Sequence, residues 1–280
     1  MKTASAQITG LVLTYNGERL IEKCISSLKF CDRILVVDSF STDATVDICR
    51  AMGAEVIQNP WSGPGPQFEF AFRQITTPWV FSLDQDEICT DALSRQILQA
   101  VTVPGSGPEP KNRYPEGTEQ PAGRGEAAPA GCFVRRKSWY YNRFMLHSGW
   151  YPDWLLRLFQ PARMRVDISG AHYRFVPLGA TTRLNGEILH YPYKDFAAHL
   201  DKINSYADQG AADLAARGRA GGLCPALLHA LARFIKLYFF KAGLLDGKAG
   251  FINAAHGAFY AFCKYLRVEK QNWGEPFDHK

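Results

Sequence analysis

Apolar and polar positions alternate in blocks over the first ninety residues, and each block has the length of one secondary-structure element. Ile8–Thr14 (ITGLVLT) is a short apolar run, followed by the turn-forming Tyr15-Asn16-Gly17-Glu18. From Arg19 to Leu28 the apolar residues Leu20, Ile21, Cys24, Ile25 and Leu28 recur as on a helix lying against a sheet. Arg33–Asp38 (RILVVD) is almost wholly apolar, the pattern of a parallel strand buried on both faces. Ser41, Thr42 or Asp43 can cap a helix running to about Met52. Glu55–Gln58 reads as a third strand, Trp61–Pro66 as a Gly/Pro-rich loop, Pro66–Ile75 as a helix, and the run from Trp79 as a fourth strand. Strands alternating with helices predict an α/β fold whose central sheet is mainly parallel, with right-handed crossovers.

The fourth apolar run ends in Asp84-Gln85-Asp86, with Glu87 behind it. A strand does not readily bury two carboxylates, so they belong at its carboxyl end, where open α/β sheets place ligands. Two carboxylates one residue apart form a hard-oxygen site suited to Mg2+ or Mn2+ held jointly with a diphosphate. Asp38 leaves its own strand at the same edge, so two acidic strand ends converge there.

Thr14-Tyr15-Asn16-x-Glu18, Val36-Val37-Asp38-Ser39-x-Ser41-Thr42-Asp43 and Leu83-Asp84-x-Asp86-Glu87, in this order, resemble the family-2 glycosyltransferases of GT-A fold. Gly149-Trp150-Tyr151-Pro152-Asp153, Leu156-Arg157-Leu158-Phe159, Leu189-His190-Tyr191, Arg233-Phe234-x-Lys236 and Leu245-Asp246-Gly247-x-x-Gly250-Phe251 look like the branch containing bacterial lipopolysaccharide core glucosyl- and heptosyl-type transferases. The resemblance covers nearly all of the chain except roughly 103–130. It implies an inverting transfer from a nucleotide-diphosphate sugar, UDP-linked for preference, to a lipid-linked glycan such as lipopolysaccharide core. Asp38 would then meet the donor's base or ribose, with Thr14, Tyr15 and Glu18 as the wall of that pocket. Asp84 would face ribose and metal, and Asp86 would be the firmest metal ligand. The Mg2+ or Mn2+ would act as a Lewis acid on the departing diphosphate.

The chain departs from that branch at two places. Where a His-Glu pair is expected it reads Gly170-Ala171-His172-Tyr173. The general base is therefore His172 or Asp153, or the chain is a catalytically silent relative that binds nucleotide or glycan as a partner subunit. At Gln67-Phe68-Glu69-Phe70-Ala71 the usual basic residue and Asn are missing, and Arg73 is the cation that could replace them on the donor. The rings of Phe68, Phe70 and Phe72 read as packing. In the aromatic stretch from Trp139 to Trp154, Trp150 and Tyr151 are expected at the acceptor, with Arg157 or Arg143 meeting an acceptor phosphate or carboxylate.

The remaining features set limits. A length of 280 residues with 46% hydrophobic content suffices for one catalytic core and an appended element. The expected division is a catalytic region at 1–200, containing a polar, Pro/Gly-rich insertion at 103–130, and a helical region at 201–280. The odd count of seven cysteines, with no C-x-x-C, argues for free thiols in a reducing compartment and against a zinc site. No signal peptide fits the first residues and no uninterrupted apolar run reaches 18, so a cytoplasmic location is expected. Between Arg217 and Lys270 nine basic residues face only Asp246 and Glu269, an excess larger than the +5 of the whole chain. Together with the apolar residues of Pro225–Lys241 this predicts a basic amphipathic helix resting on an anionic membrane, at its cytoplasmic face. No nucleic-acid reader motif accompanies the charge.

Overall fold

The computed structural model describes residues 7–102, 129–169 and 172–268, and the side chains of 168–174 lie outside that description. Most of the insertion expected at 103–130 falls outside it as well. The described chain forms two units. One comprises Met1–Lys137 with Asp153–His190, the other Ser138–Pro152 with Tyr191–Lys280. The boundary therefore falls after His190 rather than at 200, and the second unit takes a segment from the middle of the chain.

The first unit is built on a sheet of strands β1 (Ile8–Thr14), β2 (Arg33–Asp38), β3 (Glu55–Gln58), β4 (Trp79–Asp84), β5 (Glu87–Cys89), β6 (Gly131–Tyr140), β8 (Asp153–Phe159) and β11 (Thr181–His190). Their order is β3-β2-β1-β4-β8-β6-β11-β5. β1, β2, β3 and β4 are parallel. From β4 outward the described pairings β4–β8, β6–β8 and β11–β5 are antiparallel, so the sheet is parallel in one half only. A separate hairpin pairs β9 (Met164–Ser169) with β10 (His172–Pro177).

Period-two alternation explains the two faces. On one, Ile8, Val12, Val36, Phe81 and Leu83 pack on α1 (Ile21–Ser27), α2 (Thr45–Ala51) and α4 (Asp91–Thr102). On the other, Leu11, Leu35, Val37 and Val80 pack on α3 (Pro64–Arg73). Phe68 is almost wholly buried there and meets Phe175 at 4.9 Å, while Phe72 meets Phe159 at 5.7 Å. These rings are core, as their sequence suggested. α3 starts at Pro64, two residues before the expected Pro66, because proline suits the first helical position, where no N–H is required.

The second unit is helical. It contains α5 (Phe196–Ala216), α6 (Leu223–Ile235), one wider turn at Lys236–Phe240, and α7 (Gly247–Leu266), with the short β7 (Arg143–Phe144) paired to the end of β6. Asp195 caps α5 by accepting from the Ala198 amide at 2.8 Å. The fully buried Asp246 ties the turn before α7 to Leu146 and His147, accepting from both amides at 3.2 and 2.9 Å.

Candidate active site

The parallel register places Thr14 beside Asp38 and Leu13 beside Asp84, so β1, β2 and β4 end along one edge. β1 lies between the other two, and two strand spacings separate Asp38 from Asp84 by about 10 Å. An extended ligand can bridge that gap, whereas a single ion cannot.

Asp38 is fully buried. It accepts from the Ser41 amide at 3.0 Å and from Gln58 Nε2 at 2.9 Å, and it also bonds the Ser41 hydroxyl. It thus shapes the loop between β2 and α2. That loop is laced to the one after β1. Asn16 accepts from the Thr42 amide (2.8 Å), and the amides of Asn16 and Gly17 donate to Ser41 Oγ and Thr45 Oγ1. Glu18 accepts from the Ala44 amide at 3.2 Å, and its own amide donates to Asp43. Asp43 also takes both donors of Thr45, the first residue of α2. The Tyr15 ring stands exposed above this lacing.

The residue between the two aspartates has a role the sequence did not advertise. Gln85 Oε1 accepts from Thr14 Oγ1 (2.6 Å) and the Tyr15 amide (2.9 Å), and its Nε2 donates to the Tyr15 carbonyl. A Cβ on Gly17 would come within 2.7 Å of Gln85 Oε1, so glycine leaves room for this bridge.

Glu87, fully buried, closes the turn by accepting from the Asp84 amide at 3.0 Å. Arg157 Nη2 donates to Asp84 at 2.6 Å and to Glu87 at 2.8 Å. Arg136 donates to Glu87 at 3.1 Å and places two nitrogens on Asp153 Oδ2, at 2.8 and 3.0 Å. β11 sets His190 opposite Glu87, with its Nε2 3.6 Å from Asp86 Oδ2. Loss of hydration raises the Asp84 carboxyl, but the Arg157 guanidinium outweighs this and holds it below the usual carboxylate range. Burial pushes the Glu87 carboxyl up, and Arg157 reverses this only in part.

Four carboxylates (Asp84, Asp86, Glu87, Asp153) against two guanidiniums (Arg136, Arg157) leave two negative charges, the complement of one divalent cation. Asp86 Oδ2 and His190 Nε2 lie closer together than two metal–ligand bonds of about 2.1 Å placed end to end, so one ion can touch both. Among the described residues no group of three or more His, Cys, Asp or Glu side chains is placed to hold a metal ion. Asp86 and His190, one carboxylate and one imidazole, are thus the pair that could hold a divalent ion, a donor set that suits Mn2+ better than Mg2+.

Two expectations change. Arg73 ends α3, which runs back from the carboxyl edge. The next residue, Gln74, accepts from Arg33 at the start of β2, so Arg73 lies at the opposite edge, about 16 Å of strand away. Arg157, expected on the acceptor, is buried and committed to Asp84 and Glu87. Trp150, in the second unit, packs on Tyr140 (5.2 Å between ring centres) and donates to Asn253. Tyr151 beside it is half-buried, while Trp139 and Tyr141 are the more open rings. His172 opens β10, and its side chain lies outside the described residues.

The sequence model of the family described as glycosyl transferase family 2 matches residues 11–150. The chain belongs to glycosyl transferase family 2. Its half-parallel sheet is the GT-A fold, and the protein is a glycosyltransferase. A lipopolysaccharide core biosynthesis glycosyltransferase, LpsC, from Rhizobium meliloti is 26% identical over 95% of this family-2 chain and 93% of its own. An uncharacterized glycosyltransferase of Rickettsia prowazekii is 26% identical over 94% and 86%. Glucosyl-3-phosphoglycerate synthase from Mycobacterium tuberculosis, crystallised with Mn2+, UDP and glucosyl-3-phosphoglycerate, shares 28% identity over 30% of this chain and 35% of that one, with a TM-score of 0.28. That overlap is too partial to bear on the site. Gln85, Glu87, Arg136 and His190 are the site residues the sequence reading did not assign. Glu87 stood directly behind the motif, and His190 lay within a quoted tripeptide.

Proposed function

We propose that this glycosyltransferase moves a sugar, with inversion, from a UDP-type nucleotide sugar to a lipid-linked glycan of the lipopolysaccharide core kind, at the cytoplasmic face of a membrane. The observation that carries the reading is the residual double negative charge at the ends of β4 and β11. Asp86 and His190 would hold a Mn2+ or Mg2+, which when bound supplies Lewis-acid stabilisation to the leaving diphosphate, while Asp84 stays paired to Arg157 beside it. Glu87 and Arg157 fix the orientation of Asp84. The laced loops carrying Thr14, Tyr15 and Glu18, held in shape by the buried Asp38, receive the nucleoside.

Asp153 is suited to be the base. Arg136 places both of its bonds on Oδ2, leaving Oδ1 on a side chain 37% exposed. The acceptor hydroxyl gives its proton to Oδ1 as its oxygen bonds the anomeric carbon, and the electrons of the broken C–O bond leave with the nucleoside diphosphate. His172 is the alternative base. The acceptor class rests on the similarity to the core-biosynthesis relative.

The membrane reading rests on α6. Leu223–Phe240 is long and apolar enough to cross a membrane by length and composition, and only 11% of it is buried. Its polar residues His229, Arg233 and Lys236 are exposed along the side that borders α7. His229 stacks on Tyr265 of α7 at 3.9 Å, and the stem of Arg233 lies near Gly257. The exposed side carries Leu227, Leu228, Leu231, Phe239 and Phe240, the last 82% exposed. Lys236, Lys241 and Lys248, all exposed, supply the charge for an anionic surface.

Calorimetry of the purified protein with a panel of UDP-sugars, with and without Mn2+, tests the donor half. Metal-dependent binding of one donor, lost in Asp86→Ala, is expected. Failure of every donor to bind folded, metal-loaded protein would overturn it in favour of a silent relative.

A further inference from the structure

A second polar cluster lies in the helical unit, and the proposed reaction does not use it. Tyr140 at the end of β6, His199 in the first turn of α5 and His256 in the middle of α7 converge. Tyr140 Oη is 3.1 Å from Nδ1 of each histidine, and the two Nδ1 atoms are 2.9 Å apart. Tyr140 and His199 are buried, at 4% and 7% exposure, and His256 is half-buried. The rings are held in place. Tyr193 lies over His199 at 4.2 Å, and Phe196 stands edge-on to His256 at 5.7 Å.

Hydrogen bonding alone does not satisfy this triangle. A neutral imidazole Nδ1 either donates or accepts, and the phenol has one proton. In every assignment of neutral tautomers, at most two of the three contacts hold a hydrogen of their own. Protonating an imidazole is disfavoured, because burial, aided by His256 and Lys202, pushes His199 down to about 4, and burial also lowers His256. Neutral imidazoles with converging Nδ1 atoms are the form that ligates a metal.

We infer that Tyr140, His199 and His256 form a binding site for a divalent transition-metal ion. An ion about 2.1 Å from all three atoms would subtend angles of about 90° between them, one face of an octahedron, with the remaining positions left to water on the side of half-buried His256. Two nitrogens and a phenol oxygen favour Ni2+, Co2+, Cu2+ or Zn2+ over Mg2+, which takes hard oxygen ligands. Burial alone keeps the Tyr140 phenol protonated, so the ion must displace its proton: one proton leaves as the ion enters and the M–O bond forms. The ion would tie β6, α5 and α7 together.

The test uses the full chain, stripped with chelator, in the Asp86→Ala background so that donor-site metal does not contribute. Titration with Ni2+ and Cu2+, followed by calorimetry in buffers of different ionisation enthalpy and by absorption, should show one equivalent bound, about one proton released, and a phenolate-to-Cu2+ charge-transfer band. Millimolar Mg2+ should not compete. Tyr140→Phe keeps the ring and should abolish the band and weaken binding at least tenfold, and His256→Gln should weaken it further. Binding in Tyr140→Phe equal to that of its parent, or no binding by the folded parent, would overturn the inference. Because the parent lacks Asp86, neither result bears on the donor site.

Discussion

Arg157→Met is the most searching perturbation of the carboxylate cluster. The guanidinium is 6% exposed and bonds Asp84 at 2.6 Å and the fully buried Glu87 at 2.8 Å. Removing one partner of a buried pair typically costs about 3–5 kcal/mol, because the other charge is stranded. Here Arg136 remains 3.1 Å from Glu87, whose carboxyl burial already pushes toward the protonated form. The loss should therefore fall at or just below the bottom of that range, about 2–3 kcal/mol, or roughly 5–10 °C in Tm for a chain of this size. Methionine fills similar volume, so little of the loss comes from packing. Adding Glu87→Gln removes the stranded charge and leaves one amide oxygen, which keeps either the Arg136 bond now made to Oε1 or the Asp84 amide bond now made to Oε2. The double variant should thus recover about half of the deficit in urea unfolding. Additive losses from the two substitutions would falsify the claim that Arg157 acts by compensating Glu87.

Further outcomes follow from the same geometry. Asp86→Ala should lower turnover by at least a hundredfold with an unchanged melting curve, and full activity of that variant in metal-free buffer would sink the site assignment. Gln85→Ala removes three hydrogen bonds between the D-x-D turn and the β1 loop; it should weaken donor binding several-fold in calorimetry, and an unchanged Kd would count against the bridge. Leu228→Glu with Phe240→Ser removes two side chains 68% and 82% exposed. At about 1–2 kcal/mol each the pair should reduce sedimentation with anionic vesicles more than tenfold, and equal sedimentation would rule out this face as the contact. In chelator, His199, lowered in the folded state to about 4, contributes stability that is full above the unfolded value of about 6.5 and lost as pH falls from there toward 4, up to about 3 kcal/mol. Urea midpoints of wild type and His199→Gln measured across that window should converge as pH falls, and parallel curves would refute the assignment.

The parallel half of the sheet was legible because strands buried on both faces write themselves as apolar runs, so Ile8–Thr14, Arg33–Asp38 and Glu55–Gln58 emerge with their expected bounds. β6 was not legible. Its Arg135-Arg136-Lys137 breaks the apolar pattern, and Arg136 is there to meet Glu87 and Asp153. Acids at strand ends could be placed from topology alone. Their counter-cations could not, since Arg157 reaches Asp84 across 73 residues of sequence. Arg73 misled because a nearby number was read as nearby space, although α3 carries it to the far edge. The basic stripe of α6 was identified, but only packing reveals that part of it turns toward α7.

The Gln85 bridge gives the middle letter of D-x-D a thermodynamic meaning. The turn that would take the diphosphate and the loop that would take the nucleoside share one amide side chain, so neither can shift without pulling on the other. Whatever steadies one end of the donor cleft lowers the ordering cost at the other, and linkage makes that help mutual and equal in free energy. Nucleoside and cation should therefore each raise the other's affinity by the same factor, although their pockets lie two strands apart.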